Sequence, residues 1–325
     1  MTPMRNFLID TDTASDDAVA IIMALSMPDV RVLALTTVAG NVTLEQATRN
    51  ALFTADICGS NVPVYRGARA PLIRALQDAQ WLHGRDGLGD HGYPAPRREP
   101  EREHAVEAIL RLAHENPGLT LVTLGPLTNV ALALARDPGL VGKIGRCVVM
   151  GGAPCCEGNV TPAAEYNIWV DPEAARAVFR SALPIEMVGW HVSRGASVLN
   201  DAEVAAIEAL GTKKARFAIE SNSRAREAYH VQTGEVGLSL ADPTAMAVAL
   251  DRSVGLEWSR HRVAIECSSE LTRGMTVVDR LGVNSDAVNG HVWGAAAGES
   301  AGADILWTFD SAKFKSMLRT ALARL

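Results

Sequence analysis

The sequence lacks long apolar runs and the cysteine patterns that are typical of disulfide-bonded or zinc-binding proteins. No stretch of about 18 consecutive apolar residues occurs, and the apolar run at residues 7–9 is too short for a signal peptide, so the sequence predicts no membrane span. The five cysteines are irregularly spaced and form no Cys-x-x-Cys pair. We therefore expect a cytoplasmic protein with reduced thiols, the adjacent Cys155 and Cys156 included.

An excess of basic residues is also missing. The chain has 31 Lys and Arg against 37 Asp and Glu, which gives a formal net charge of -6. Nucleic acids and anionic membranes select basic surfaces, so the sequence predicts neither as a partner. Because 48% of the 325 residues are hydrophobic, the chain has ample material for a large core, and this excludes an intrinsically disordered protein.

No linker rich in Pro, Gly or Ser and no internal repeat divides the chain, so we expect one domain over residues 1–325. In the first part, apolar strands alternate with helices. This alternation predicts an α/β fold with a mostly parallel central sheet that is covered by helices on both faces. The predicted strands cover residues 6–9, 32–38, 62–65, 119–124, 147–150 and 185–188. The predicted helices cover residues 17–27 (with Ser15 as N-cap), 44–58, 104–115, 129–136 and 172–180.

After about residue 195 the pattern changes. We expect helices over residues 202–210, 213–230, 243–250 and 311–324, and late strands over residues 258–266 and 275–278. Two glycine-containing segments, 83–92 and 233–240, read as loops. Loops at the carboxyl ends of parallel strands are where α/β sheets bind ligands, so either loop is a candidate to close over a site.

The strongest local feature of the sequence is a group of four carboxylates within eight residues, Asp10, Asp12, Asp16 and Asp17. Like charges this close repel one another, so their clustering indicates a bound cation or proton chemistry. Oxygen donors with no Cys or His between them suit a hard ion such as Ca²⁺ or Mg²⁺. An acidic first helical turn would explain only Asp16 and Asp17. An Asp-x-Asp pair also occurs in haloacid-dehalogenase phosphatases, but Ala14 stands where they need Thr or Val.

Polar segments follow other predicted strands in the same way. Taken singly, each is typical of a turn or a helix cap. Together they place amides and carboxylates at one edge of the sheet, and these are the groups that hydrogen-bond a polyhydroxylated sugar. The segments cover residues 39–41, 125–129, 157–159, 165–167 and 242–243.

These residues carry a resemblance to the inosine-uridine-preferring nucleoside hydrolases. The family's DxDxxxDD signature reads here as Asp10-Thr-Asp12-Thr-Ala-Ser-Asp16-Asp17. The similarity continues in order through residues 37–41, 125–129, 149–152, 157–159, 164–167, 171–174 and 241–243. The resemblance implies a nucleoside-hydrolase-like α/β fold. It also implies a tightly bound Ca²⁺ and hydrolysis of the N-glycosidic bond of ribonucleosides to ribose and free base.

The resemblance further implies which residues bind the metal. The Ca²⁺ ligands would be the side chains of Asp12, Asp17 and Asp242 and the backbone carbonyl of Leu124. Asp12 would also act as general base for the attacking water. Asp10 would support the metal loop.

The ribose contacts follow from the same resemblance. Asp16 and Asn167 would hold the 2′- and 3′-hydroxyls, and Asn159 and Glu165 would hold the 5′-hydroxyl. Asn41 would lie near the attacking water and the ribose. Attack by water needs no covalent enzyme nucleophile, so the absence of a Ser-His-Asp or Cys-His pattern is expected.

The main departure from the family is on the leaving-group side. Many members have His immediately before the late Asp as proton donor to the base, and some purine-specific members have a stacking Trp. Ala241 of this chain can do neither. We expect the nucleobase contacts to come from Tyr229, His83, Trp81 or His230, and we leave the base preference open.

Two hypotheses remain. The first is a Ca²⁺-dependent ribonucleoside hydrolase, which we expect to be a dimer or tetramer as the family is. The second is a non-catalytic or weakly active ribose- or nucleoside-binding protein that has lost leaving-group activation at Ala241.

Overall fold

A central sheet is the frame of the protein in the computed structural model, which describes residues 3–292 and 301–324. The strands are β1 (Arg5–Thr11), β2 (Val30–Thr37), β3 (Val64–Arg66), β4 (Leu119–Thr123), β5 (Ile144–Met150), β6 (Ile185–Val188), β7 (Gly255–His261), β8 (Val263–Ile265), β9 (Thr276–Val278) and β10 (Ala303–Phe309). Eight of them form one sheet in the order β3-β2-β1-β4-β5-β6-β10-β7. All neighbours in this sheet are parallel except β10 and β7, so the predicted mostly parallel sheet is confirmed.

Helices cover both faces of this sheet. They are α1 (Ser15–Leu25), α2 (Leu44–Ile57), α3 (Gln80–His83), α4 (Ala105–Glu115), α5 (Thr128–Arg136), α6 (Tyr166–Val170), α7 (Pro172–Arg180), α8 (Asp201–Glu208), α9 (Lys213–Ser221), α10 (Ser223–Thr233), α11 (Ala241–Leu250) and α12 (Ser311–Ala323). Phe7 and Ile9 of β1 pack into one core with α1, α2 and α11. Leu8 points into a second core with α4, α5 and α7. Successive strand residues face opposite sides, which is why an uninterrupted apolar strand signals a sheet buried on both faces.

The carboxyl ends of β1, β2, β4 and β5 meet at one edge, and this arrangement positions the polar segments predicted from the sequence. The Leu124 amide donates to the Asp10 carbonyl at 2.8 Å, which ties the end of β4 to the end of β1. Helix α1, which starts directly after the aspartate-rich segment, is almost entirely buried and packs against α11. The two halves of the chain therefore contribute to the same edge of the sheet.

Several sequence predictions were wrong in detail. The strand β10 was not predicted, because Asp304 and Thr308 interrupt its apolar pattern. The predicted single strand over 258–266 is two strands, β7 and β8, which lie in different sheets. The predicted helix 213–230 is divided at Asn222, whose side-chain amide donates to the carbonyls of Ser15 (3.0 Å) and Ala218 (2.9 Å). Ser15 is the first residue of α1 rather than its N-cap.

No helix within residues 3–292 and 301–324 combines the length and the apolar character that crossing a membrane requires.

Candidate active site

A cleft of about 760 Å³, partly open to solvent, lies at the carboxyl ends of the central strands. Three residues predicted for the site, Asp10, Asp12 and Asp17, are fully buried. Ten other predicted site residues line the cleft itself, together with Ala241. They are Asp16, Asn41, Trp81, His83, Leu124, Asn159, Glu165, Asn167, Tyr229 and Asp242. The fold thus brings side chains from residues 10 to 242 into one region.

Three carboxylates form the acidic cluster of the cleft. One oxygen each of Asp16, Asp17 and Asp242 lies within 4.8 Å of the others. Asp17 is fixed on both oxygens, by the Thr11 hydroxyl at 2.5 Å and by the Ala14 amide at 2.9 Å. Burial, followed by repulsion from Asp16, raises the pKa of Asp17 to about 6. Burial and repulsion from Asp17 also raise the pKa of Asp242 well above its usual range.

Asp12 lies next to this cluster and is held tightly. Its Oδ2 accepts the Asn41 backbone amide at 2.6 Å. A Cβ atom on Gly40 would fall 2.1 Å from this Oδ2, and one on Gly125 would fall 2.6 Å from Oδ1, so both positions need glycine. Burial, followed by repulsion from Asp17, raises the pKa of Asp12. Its Oδ1 is buried and has no hydrogen-bond partner within residues 3–292 and 301–324.

The burial and mutual repulsion of these carboxylates bear on whether they could hold a metal ion. Desolvated carboxylates that repel one another destabilise the fold unless a cation offsets their charge. The unpartnered Asp12 Oδ1 is a free oxygen donor on a carboxylate that lies close enough to Asp17 and Asp16 to be repelled by both. A set of oxygen donors alone is typical of sites for hard divalent cations. The aspartate cluster could therefore hold an ion.

The support for the cluster comes from Asp10. Its Oδ1 accepts the Thr36 hydroxyl at 2.6 Å and the Asn129 amide at 2.8 Å. Burial raises the pKa of Asp10 to about 7. Asp10 thus ties the ends of β1 and β2 to the start of α5.

Amide and carboxylate side chains on the opposite wall are fixed by the loop after β5. Glu165 caps α6 and accepts the Gly152 amide at 2.8 Å and the Asn167 amide at 2.9 Å. The Asn167 side-chain amide donates to the Leu124 carbonyl at 2.7 Å, and this carbonyl keeps a second lone pair. The Asn159 side-chain oxygen accepts the Tyr166 amide at 2.9 Å. Because each side chain is anchored by backbone groups, this wall is rigid before a ligand binds.

The remaining wall is aromatic and comes from helices. The hydroxyl of Tyr229, on α10, donates to Glu235, which also pairs with Arg194 at 3.1 Å. Burial raises the pKa of Tyr229 to about 12. His83 shares a hydrogen bond of 2.8 Å between its Nδ1 and the Ser15 hydroxyl, and burial lowers its pKa. Trp81 is 59% exposed at the mouth of the cleft.

The structure also adds wall residues that the sequence did not reveal. Trp190 lies one residue beyond Gly189, which follows the end of β6, so the strand-end signal that found Asn41 could also have found it. Asn222 was hidden inside a predicted helix. Each carries a buried polar atom without a partner in the described part of the chain, Nε1 of Trp190 and Oδ1 of Asn222. The others are Ala79, Leu82, Met150, Val160, Tyr166, Ala225, Gln232 and Ser239.

Two histidines, His230, which the sequence offers as a nucleobase contact, and His191, lie outside the lining of the cleft. His230 is exposed and bonds through Nδ1 to the Glu235 carbonyl at 3.1 Å. The Nε2 of His191 is 2.9 Å from the Leu306 carbonyl on β10.

The sequence matches one protein family over most of its length. Residues 7–316 match the family described as inosine-uridine preferring nucleoside hydrolase. An enzyme of that name from Crithidia fasciculata is 38% identical over 279 residues, which cover 85% of this chain and 88% of the relative. The pyrimidine-specific ribonucleoside hydrolase RihA of Shewanella sp. (strain ANA-3) is 39% identical over 323 residues, which cover 98% of this chain and 96% of the relative.

Solved structures agree with the sequence comparison. A plant nucleoside hydrolase, the PpNRh1 enzyme, superposes with a TM-score of 0.91 at 30% identity, covering 99% of this chain and 100% of the other. A purine-preferring ribonucleoside hydrolase from Gardnerella vaginalis gives a TM-score of 0.87 at 30% identity, covering 98% of each chain. The fold and these similarities identify the chain as a ribonucleoside hydrolase. It belongs to the inosine-uridine preferring nucleoside hydrolase family.

Proposed function

We propose that the chain hydrolyses the N-glycosidic bond of ribonucleosides with the help of a Ca²⁺ ion. The ligands are the carboxylates of Asp12, Asp17 and Asp242 and the carbonyl of Leu124. The observation that carries this assignment is the buried Oδ1 of Asp12, which has no hydrogen-bond partner in the described part of the chain and belongs to a carboxylate that Asp17 and Asp16 of the acidic cluster repel. When bound, the ion orients the attacking water and the ribose diol and lowers the pKa of the water.

Asp12 is the general base in this proposal. Its Oδ2 accepts the Asn41 backbone amide, which fixes the carboxylate that takes the proton of the attacking water. The water oxygen forms a bond to C1′ of the ribose, and the electron pair of the broken N-glycosidic bond goes to the nucleobase. A positioned carboxylate base contributes about 10²–10⁴-fold to such a step. Asn41 borders the same space and lies near the water and the ribose.

The ribose is held by the polar wall. Asp16 is the least buried member of the acidic cluster and, with Asn167, holds the 2′- and 3′-hydroxyls. Asn159 and Glu165 hold the 5′-hydroxyl. N-glycoside cleavage passes through a ribosyl cation of oxocarbenium character, and nearby carboxylates stabilise its developing positive charge.

The nucleobase is placed against the aromatic wall in this proposal. Tyr229, His83 and Trp81 contact it from α10, from α3 and from the mouth of the cleft. His83 is neutral at pH 7 because burial lowers its pKa, so it acts as a hydrogen-bonding group rather than as a charge. Trp81 supplies a stacking face.

The remaining proposals concern organisation and location. We propose that residues 1–325 form one domain, since strands from residue 5 to residue 309 share one sheet. We also propose a cytoplasmic homo-oligomer, either a dimer or a tetramer. Light scattering of the purified protein at micromolar concentration tests the assembly, and a monomer would contradict it.

Ribose release from inosine, uridine, adenosine and cytidine, measured with added Ca²⁺ and with a chelator, tests the proposed function. We expect release from at least one nucleoside with Ca²⁺ and its loss with the chelator. Asp12→Ala should abolish release while the circular dichroism spectrum stays unchanged. Unchanged release by this variant would remove Asp12 as the base.

A nucleoside-binding protein without catalysis is the second candidate, and Ala241 is the observation that favours it. An alanine side chain neither donates a proton nor stacks on a base. In that case calorimetry would detect nucleoside binding, and no ribose would be released from any of the four nucleosides.

A further inference from the structure

The cleft contains a buried hydrogen-bond donor that the proposed mechanism does not use. Trp190 is 6% exposed and lines the cleft. Its indole Nε1 is buried, and no group in the described ranges accepts a hydrogen bond from it. A buried N–H without an acceptor destabilises a fold, and such groups in native structures call for an explanation. A ligand in the cleft can supply the missing acceptor.

The indole is held in place before any ligand binds. The Trp190 amide donates to the Gly152 carbonyl at 2.9 Å, and its carbonyl accepts the Ser193 hydroxyl at 2.9 Å. Its ring meets Tyr229 edge-on, with ring centroids 6.3 Å apart and an interplanar angle of 71°. The Arg194 guanidinium lies over the same ring, 5.8 Å from its centroid. These contacts restrict the side chain, so the donor is preorganised.

Two neighbouring donors of this wall are already engaged. The Tyr229 hydroxyl donates a hydrogen bond to Glu235, and the Gln232 side-chain amide donates to the Asn159 carbonyl. Ala241 has no donor on its side chain. The turn that starts at Trp190 packs against α11, which begins at Ala241. Because the side chain of Ala241 is small, the indole of Trp190 forms this part of the cleft wall.

We propose that Trp190 is a catalytic residue that donates its indole N–H to an acceptor atom of the nucleobase, a carbonyl oxygen or a ring nitrogen. This inference rests on the proposed function. As the N-glycosidic bond breaks, its electron pair moves to the base, and the indole N–H stabilises the developing negative charge. The indole keeps its proton, and the proton that neutralises the departed base comes from solvent. In this chain, a hydrogen bond from Trp190 thus replaces the proton donation that many family members perform at the position of Ala241.

The test compares two substrates in the Ca²⁺-loaded enzyme. One is the better natural nucleoside of inosine and uridine, and the other is 4-nitrophenyl β-ribofuranoside, whose leaving group departs without protonation. Trp190→Phe keeps an aromatic ring but removes the donor. We expect kcat/KM to fall about 10–100-fold on the nucleoside and less than about threefold on the nitrophenyl riboside.

Two further proteins make the test decisive. Trp190 replaced by β-(3-benzothienyl)alanine keeps the two-ring shape without the N–H, and it should give the same selective loss even if the Phe variant folds poorly. Trp258→Phe is the matched control, because the Trp258 indole donates to the Gly255 carbonyl on β7, outside the cleft lining. It should leave both rates unchanged.

The possible contrary results distinguish a failure of the role of Trp190 from a failure of the proposed function. Equal losses on both substrates, or no loss on the nucleoside, would overturn the role of Trp190. A wild-type enzyme that releases ribose from neither substrate would instead overturn the proposed function on which this role rests.

Discussion

The two ends of the cleft are built in different ways. The end proposed to bind the sugar, here called the sugar end, consists of carboxylates and amides near the carboxyl ends of β1, β2, β4 and β5, and nearly every one is fixed by a backbone amide or a hydroxyl. The end proposed to bind the nucleobase, here called the base end, consists of Trp81, Tyr229 and Trp190 on helices and turns. The Tyr229 hydroxyl at this end is held by the side chain of Glu235, which in turn pairs with Arg194.

This difference indicates a division of labour. Cleavage of the ribosyl bond needs charges at fixed distances, and strand ends of a buried sheet hold them. Leaving groups differ from one nucleoside to another, so the groups that meet them lie on elements that can change without disturbing the sheet. We therefore expect changes at the sugar end to affect all substrates equally. Changes at the base end should depend on the leaving group.

The largest effect is expected from Asp242→Asn at the sugar end. The substitution removes a carboxylate from the acidic cluster, so the variant should bind Ca²⁺ weakly, and ribose release at a fixed Ca²⁺ concentration should fall about 1000-fold. Asp251→Asn is the matched control at the other end of α11, where Asp251 pairs with Lys313 at 2.7 Å. It should stay within about twofold of the wild type. Similar losses in both variants would contradict a metal role for Asp242.

The next effect is expected from Gly40→Ala. The new Cβ would fall 2.1 Å from Asp12 Oδ2, so the carboxylate must move. A displacement of about 1 Å at a reacting group lowers the rate about 100-fold, and we expect that loss on every substrate. Gly142→Ala, with open space around its added Cβ, should change neither activity nor the melting temperature by much. A fully active Gly40→Ala enzyme would show that Asp12 need not stay where it is.

A smaller and selective effect is expected from Glu235→Ala at the base end. The Tyr229 hydroxyl and Arg194 lose a shared partner, so we expect KM for nucleosides to rise about five- to tenfold. The nitrophenyl riboside should react at nearly the wild-type rate. Glu227→Ala, at an exposed position of α10, the helix that carries Tyr229, serves as the control. An equal loss on both substrates would mean that the base end supports the sugar end.

The smallest effect is expected from Trp81→Ala. The ring is 59% exposed, so only part of its stacking energy is available to a nucleobase. We expect KM for nucleosides to rise about threefold with kcat unchanged, as measured by initial rates. A fall in kcat without a change in KM would place Trp81 in the chemical step instead.

The sugar end of the cleft could be predicted from the sequence more fully than the base end. Asp10, Asp12, Asp16 and Asp17 are neighbours in the chain, and their clustering is visible before any fold is known. Strand-end placement then predicts that Asn41 and the residues around 125 and 165 converge, because parallel strands end at one edge of the sheet.

The base end depends on contacts between distant segments. The division of a predicted helix at Asn222 arises from a bond to Ser15, about 200 positions earlier in the chain. The strand β10 gains its place in the sheet from pairing with β6 and β7, which its own residues do not encode locally. The orphan N–H of Trp190 becomes apparent only when its surroundings are known.

The central claim is that Asp12 acts as the general base at the sugar end, whichever nucleobase departs. The most direct measurement is the rate of Asp12→Asn on 4-nitrophenyl β-ribofuranoside, since this leaving group needs no help from the aromatic wall. We predict that the rate falls at least about 1000-fold and that the loss matches the one on inosine or uridine. A rate within about tenfold of the wild-type enzyme would contradict the claim.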